Sequence, residues 1–124
     1  MIIYSDGYTL GRNPSETGGG YVVMNEDGDV LCENEIAKKG MTNNEAELLG
    51  VLEASKLAEK YDTIITDSMN TYWWVMRRKC KARPDLKDIA TEAYINILEK
   101  EIDFYQEPRE TNLAGIYIED VLKK

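Results

Sequence analysis

The polar and apolar positions divide the chain into segments of two different periods. Residues 1–6 form a short apolar run that reads as a strand ending at Asp6-Gly7. A turn-rich stretch follows from Thr9 to Thr17. Residues 19–25 (GGYVVMN) read as a second strand, Glu26-Asp27-Gly28-Asp29 as a turn, and residues 30–38 (VLCENEIAK) as a third strand antiparallel to the second. The run Gly18-Gly19-Gly20 reads as a tight turn or a close approach of backbone.

The period then becomes helical. Ala46, Leu48, Leu49, Val51, Leu52, Leu57 and Ala58 fall on one face and predict a helix over 43–60, with Thr42 and Glu45 spaced as a capping box. Residues 62–66 (DTIIT) predict a short buried strand ending at Asp67-Ser68, and 69–79 a helix. Pro84 breaks the helix at Arg83. Residues 86–100 predict a further amphipathic helix, 102–107 (IDFYQE) a strand, and 112–124 a closing helix. The order β-β-β-α-β-α-α-β-α predicts an α/β fold, a mixed sheet with helices packed on it.

At 124 residues, one domain spanning 1–124 is expected, with a monomer as the default state. No apolar run approaches the ~20 residues of a membrane span. The start, Met-Ile-Ile-Tyr-Ser-Asp, lacks the basic segment and apolar core of a signal peptide, so a cytoplasmic location is expected. Cys32 and Cys80 make neither a disulfide framework nor a zinc pattern.

The absence of His changes the chemical options most. It removes Ser-His and Cys-His nucleophile pairs, His ligands and His bases together. Hydrolytic chemistry must then use carboxylates, Lys, Tyr or a metal held by oxygen. The net charge of −8 argues against nonspecific coating of nucleic acid. Residues 77–87 nevertheless carry six Lys/Arg and one Asp, and such a patch docks a polyanion locally.

Asp6 ends the first strand, Asp67 ends the fourth, and Glu47 lies one turn into the first helix. Strand ends are where sheet proteins fix exposed side chains, so neighbouring first and fourth strands would bring the three acids together. Such a trio repels itself unless a hard divalent cation neutralises it, and Mg²⁺ prefers oxygen ligands. Two such ions can activate water and stabilise a leaving oxygen in phosphoryl displacement. Any one of these acids taken alone reads more simply as a solvated side chain or a cap.

Residues 3–7 (IYSDG), 42–48 (TNNEAEL), 66–68 (TDS) and 109–115 (RETNLAG) occur in this order, and the set resembles ribonuclease H of type 1. The resemblance implies an RNase H-like five-stranded mixed sheet, order 3-2-1-4-5, flanked by helices. It implies cleavage of the RNA strand of an RNA–DNA hybrid with two Mg²⁺ ions, Mn²⁺ being a possible substitute. Asp6, Glu47 and Asp67 would be the catalytic metal ligands. Gly7, Asn43, Asn44, Ser68, Trp74, Arg77, Lys79 and Asn112 would contact the hybrid, with Asn43 and Asn44 reading the 2′-hydroxyl that distinguishes RNA from DNA. The Gly18–Gly20 backbone is also expected near the nucleic acid. The last motif departs from the family: Asn112-Leu113-Ala114-Gly115 is one residue short, with Gly where a fourth Asp is expected. Glu119, four residues beyond Gly115 on a helix, is the expected replacement ligand. The competing reading is an RNase H-like binding module that holds nucleic acid or a protein and no longer cuts.

Overall fold

A computed structural model describes residues 1–123. Five strands form one sheet in the order β3-β2-β1-β4-β5, the order implied by the resemblance. They are β1 (Ile2–Thr9), β2 (Gly18–Asn25), β3 (Val30–Ala37), β4 (Thr63–Thr66) and β5 (Asp103–Gln106). The first three form an antiparallel meander, while β4 lies parallel to both β1 and β5. The helices are α1 (Asn43–Leu57), α2 (Met69–Arg77), α3 (Lys87–Glu99) and α4 (Leu113–Tyr117). Among the described residues no helix is long and apolar enough to cross a membrane.

Strand alternation gives the sheet two apolar faces. Ile3, Tyr21, Val23 and Ile64 pack with Leu48, Val51, Ala90, Ala93 and Ile97 in the main core under α1 and α3. Tyr8, Val22 and Met24 pack on the opposite face against Ala114 and Ile118. The acids therefore sit in a sheet clamped from both sides.

Several boundaries differ from the sequence expectation. The Asp6-Gly7 pair does not end β1, which runs on to Thr9 against β2, with Thr9 opposite Gly19. Gly7 is demanded by packing: a Cβ there would stand 2.4 Å from the Glu47 backbone nitrogen. Gly18–Gly20 form no turn; of the two readings the close backbone approach holds, since they are buried in β2, where added Cβ atoms would strike carbonyls of β1 and β3. Helix α1 stops at Leu57, three residues early, because Lys100 Nζ reaches from α3 to donate to the carbonyls of Ser55, Lys56 and Ala58. These are the orphan acceptors of a helix end, and the ammonium also complements the helix dipole. The closing helix is regular only to Tyr117 and widens into a π-type turn over Ile118–Leu122. Lys124 lies outside the described residues.

Only half of the capping box forms. Thr42 Oγ1 accepts the Glu45 N–H at 3.1 Å. The Glu45 carboxylate turns instead to Lys38 and Arg83.

Candidate active site

The parallel pairing of β1 with β4 ends at Ser5 opposite Thr66. Asp6, still in β1, and Asp67, just past β4, are the next residues along the chain, so the register sets them side by side. Glu47 comes from the second turn of α1, which the bare Gly7 allows to lie against β1. The Gly7 N–H donates to Glu47 Oε1 at 3.0 Å and holds the carboxylate in place. One oxygen from each of Asp6, Glu47 and Asp67 lies within 4.8 Å of the others.

Asp6 and Glu47 are only 5% and 3% exposed. Glu47 Oε2 and Asp67 Oδ2 are buried and lack a hydrogen-bond partner. Two carboxylates ~5 Å apart repel by about 3–4 kcal/mol at an effective dielectric of ~20. The titration behaviour reflects this crowding. Burial, with the nearby Asp6 and Asp67, pushes Glu47 well above the usual carboxylate range. Burial and Asp6 raise Asp67 to about 6, while Arg109 pulls in the opposite direction. Three converging hard oxygen donors, two of them with unsatisfied oxygens, fit a hard divalent cation.

The trio opens into a polar cleft of about 260 Å³, lined also by Thr9, Asn13, Asn43, Arg109 and Lys123. Asn43 thus shares the cleft with the acids, and its backbone N–H donates to Asn13 Oδ1 at 3.0 Å. Sequence reasoning missed Asn13 and Thr9. The turn-rich reading of that stretch carried no sign that it folds back onto the start of α1.

Other expected positions do different work. Glu119 does not join the acids. It is exposed on the terminal turn and pairs with Arg109 at 2.9 Å and Lys123 at 3.6 Å. The helix position aimed at the trio is Gly115, where a Cβ would stand 3.0 Å from Asp6 Oδ2. Asn112 is 1% exposed. Its side chain caps α4 by accepting the Ala114 and Gly115 N–H groups, and it donates to the Ser5 carbonyl, so the hybrid contact expected of it is precluded by burial. Ser68 Oγ caps α2 by accepting the Thr71 N–H. Gly7 lines the cleft beside the acids, but its N–H is occupied by Glu47. Asn44 is partly exposed beside Asn43 on α1.

The residues of the basic run differ in their surroundings. Trp74, Arg77 and Lys79 line a second cavity of about 310 Å³ with Asn70, Trp73 and Lys81. The Arg77 guanidinium lies 4.5 Å from the Trp73 ring centroid. Trp74 is the tryptophan that packs on the core, partly buried. Arg78 stacks on Tyr94 instead, and Arg83 turns inward to Glu45.

This sheet order, with acids at the β1/β4 register and on the helix crossing it, defines an RNase H-like fold. The chain belongs to the RNase H family, whose model matches residues 1–113. Among solved structures it is similar to the N-terminal RNase H domain of Rv2228c from Mycobacterium tuberculosis, at 29% identity and TM-score 0.66, covering 91% of this chain and 90% of that one. It is similar to LC11-RNase H1 in complex with an RNA/DNA hybrid, at 27% identity and TM-score 0.62, covering 90% and 87%. RNase H1 from the halophilic archaeon Halobacterium salinarum NRC-1 shares the fold at 22% identity and TM-score 0.71, covering 98% and 96%. Comparison with curated protein sequences finds no significant match.

Proposed function

We propose that the protein is a divalent-metal-dependent endoribonuclease that cuts the RNA strand of an RNA–DNA hybrid. The observation that carries this is the buried convergence of Asp6, Glu47 and Asp67 with two unsatisfied carboxylate oxygens. Asp6, Glu47 and Asp67 would hold Mg²⁺, or Mn²⁺ in its place. Such an ion supplies charge neutralisation at the phosphate and a more acidic water.

The chain's own residues do the rest. Gly7 fixes the orientation of Glu47 through its N–H. Asn43, which lines the cleft, would meet the RNA backbone and 2′-hydroxyl in the minor groove. Arg77, Lys79 and Lys81 hold phosphates beyond the cut site, and Trp73 offers a ring for a sugar or base to pack on. In-line attack by water breaks the bond from phosphorus to the 3′ oxygen, leaving a 3′-hydroxyl and a 5′-phosphate.

A specific observation favours a second reading, a module that binds hybrids without cutting. Position 115 carries no side chain and Glu119 lies elsewhere, so the trio has no fourth acid among the described residues. One experiment separates the two. A labelled hybrid is incubated with Mg²⁺, and separately Mn²⁺, beside single-stranded RNA and duplex DNA, with Asp67→Asn alongside. Hybrid-selective cutting that Asp67→Asn abolishes supports the nuclease. Hybrid binding without cutting under either metal leaves the binding module.

A further inference from the structure

Glu45 is a buried acid outside the catalytic trio, and two separate loops supply its partners. Its side chain is 4% exposed. Lys38, from the β3–α1 connection, and Arg83, from the α2–α3 connection, both end on its carboxylate. Arg83 reaches Glu45 Oε1 at 3.0 Å and donates to Thr42 Oγ1, the cap of α1, at 3.2 Å. It also forms a two-pronged pair with Asp85 at 3.0 and 2.9 Å. Every guanidinium nitrogen is therefore engaged within the molecule. Such a side chain is not free to take a phosphate.

What Arg83 does hold is the joint between two surfaces. The first turn of α1 carries Asn43, which lines the acidic cleft. The connection ending at Arg83 carries Lys79 and Lys81, which line the basic and aromatic cavity. A duplex that engages both surfaces binds tightly only while their spacing is fixed, because the second contact then forms at high effective concentration. We infer that Arg83 is a positioning residue that, through Glu45 and Thr42, locks the basic segment to the Asn43–Asn44 turn so that one hybrid reaches both. The inference rests on the hybrid-binding reading above.

The sequence alone offers Arg83 as one more cation of a basic run. A direct phosphate contact and a positioning role give different salt behaviour. Losing one phosphate contact lowers the slope of log affinity against log salt by about one, whereas loosening a joint leaves the slope in place.

Binding of a labelled hybrid is measured with a chelator present, over a salt series, for the wild type, Arg83→Gln, Arg83→Lys, Glu45→Gln and the Glu45→Gln/Arg83→Gln pair. Divalent-ion affinity is measured separately by calorimetry without nucleic acid. Arg83→Gln is expected to weaken hybrid binding about tenfold with the salt slope and ion affinity unchanged. Arg83→Lys recovers part of the loss, and the double variant loses no more than either single. Unchanged binding by folded Arg83→Gln overturns the inference, and so does a slope that falls by about one. If Arg83→Gln fails to fold, Arg83→Lys decides: it keeps the charge but not the forked contacts, so an intermediate loss supports the inference and wild-type binding overturns it. A wild type that binds no hybrid at all defeats the functional reading first, a result distinct from either of these.

Discussion

A Cβ on Gly115 would stand 3.0 Å from Asp6 Oδ2, and 3.7 Å from Asp67 Oδ2. The position where the family motif would carry its last Asp is thus the bare point of α4 that faces the Asp6 and Asp67 carboxylates. Gly115→Ala should separate stability from activity. Alanine is the better helix former by roughly 0.5–1 kcal/mol, so the melting temperature should hold or rise. The Asp6 carboxylate must yield by a few tenths of an ångström, and cleavage of hybrid should fall about tenfold. Thermal melting beside the cleavage rate checks this. A variant as active as the wild type would show that the Asp6 carboxylate moves without consequence.

Gly7 has a stricter requirement, because its neighbours are main chain. A Cβ there would meet the Glu47 nitrogen at 2.4 Å and the Ala46 carbonyl carbon at 2.5 Å. No rotamer relieves that, so α1 must move off β1. Gly7→Ala should cost about 2–3 kcal/mol in urea unfolding. It should also abolish cleavage, since the moved helix takes Glu47 away from the Gly7 N–H. A urea midpoint within error of the wild type would contradict the close packing described.

The raised acids give a pH signature. Asp67 ionises at about 6 in the folded, ion-free protein and near the ordinary 3.8 when unfolded. The folded state therefore binds its proton more tightly. The stability this supplies is complete below about 3.8 and is lost as pH rises through about 6. Asp67→Asn cannot ionise, so with a chelator present it should melt above the wild type at pH 7.5, and the gap should shrink as pH falls below about 6 and close near 3.8. Calorimetry should show Mg²⁺ or Mn²⁺ affinity falling over the same interval, because protons compete for the same oxygens. A gap independent of pH would remove Asp67 as its source.

The sequence made the sheet order and the acidic trio legible for separable reasons. Alternation and helical period place every element but the closing helix to within a few residues; the sheet order comes with the resemblance, and the trio follows once β1 and β4 are neighbours. The Asp6-Gly7 pair reads as the end of β1 because local chemistry shows the pair and not the helix that presses on it. Asn112 and Ser68 looked like substrate contacts since polar residues beside acids look alike whether they cap a helix or face solvent. Their hydrogen bonds to the Ala114, Gly115 and Thr71 amides decide the matter. Glu119 was placed by helical period, but the helix widens from Ile118 onward, and its carboxylate goes to Arg109 and Lys123. The basic run hides the same ambiguity, since charge alone does not distinguish Arg83, held by Glu45, from Lys79, which lines a cavity.

That distinction sets the last prediction. Trp73 is 43% exposed and lies under Arg77, so removing it disturbs little core. Trp73→Ala should change stability by less than about 1 kcal/mol. If the ring supports a sugar or base, it should weaken hybrid binding by about 1–3 kcal/mol with the salt slope unchanged. Lys79→Gln should do the reverse in kind: a smaller loss of affinity and a slope lower by about one. Both variants keep Asp6, Glu47 and Asp67 intact, so the cleavage rate at saturating hybrid should stay near that of the wild type. A salt series with chelator present, paired with saturating kinetics, reads all three quantities. If neither variant alters binding, the duplex does not reach the second cavity and the cleft alone holds it.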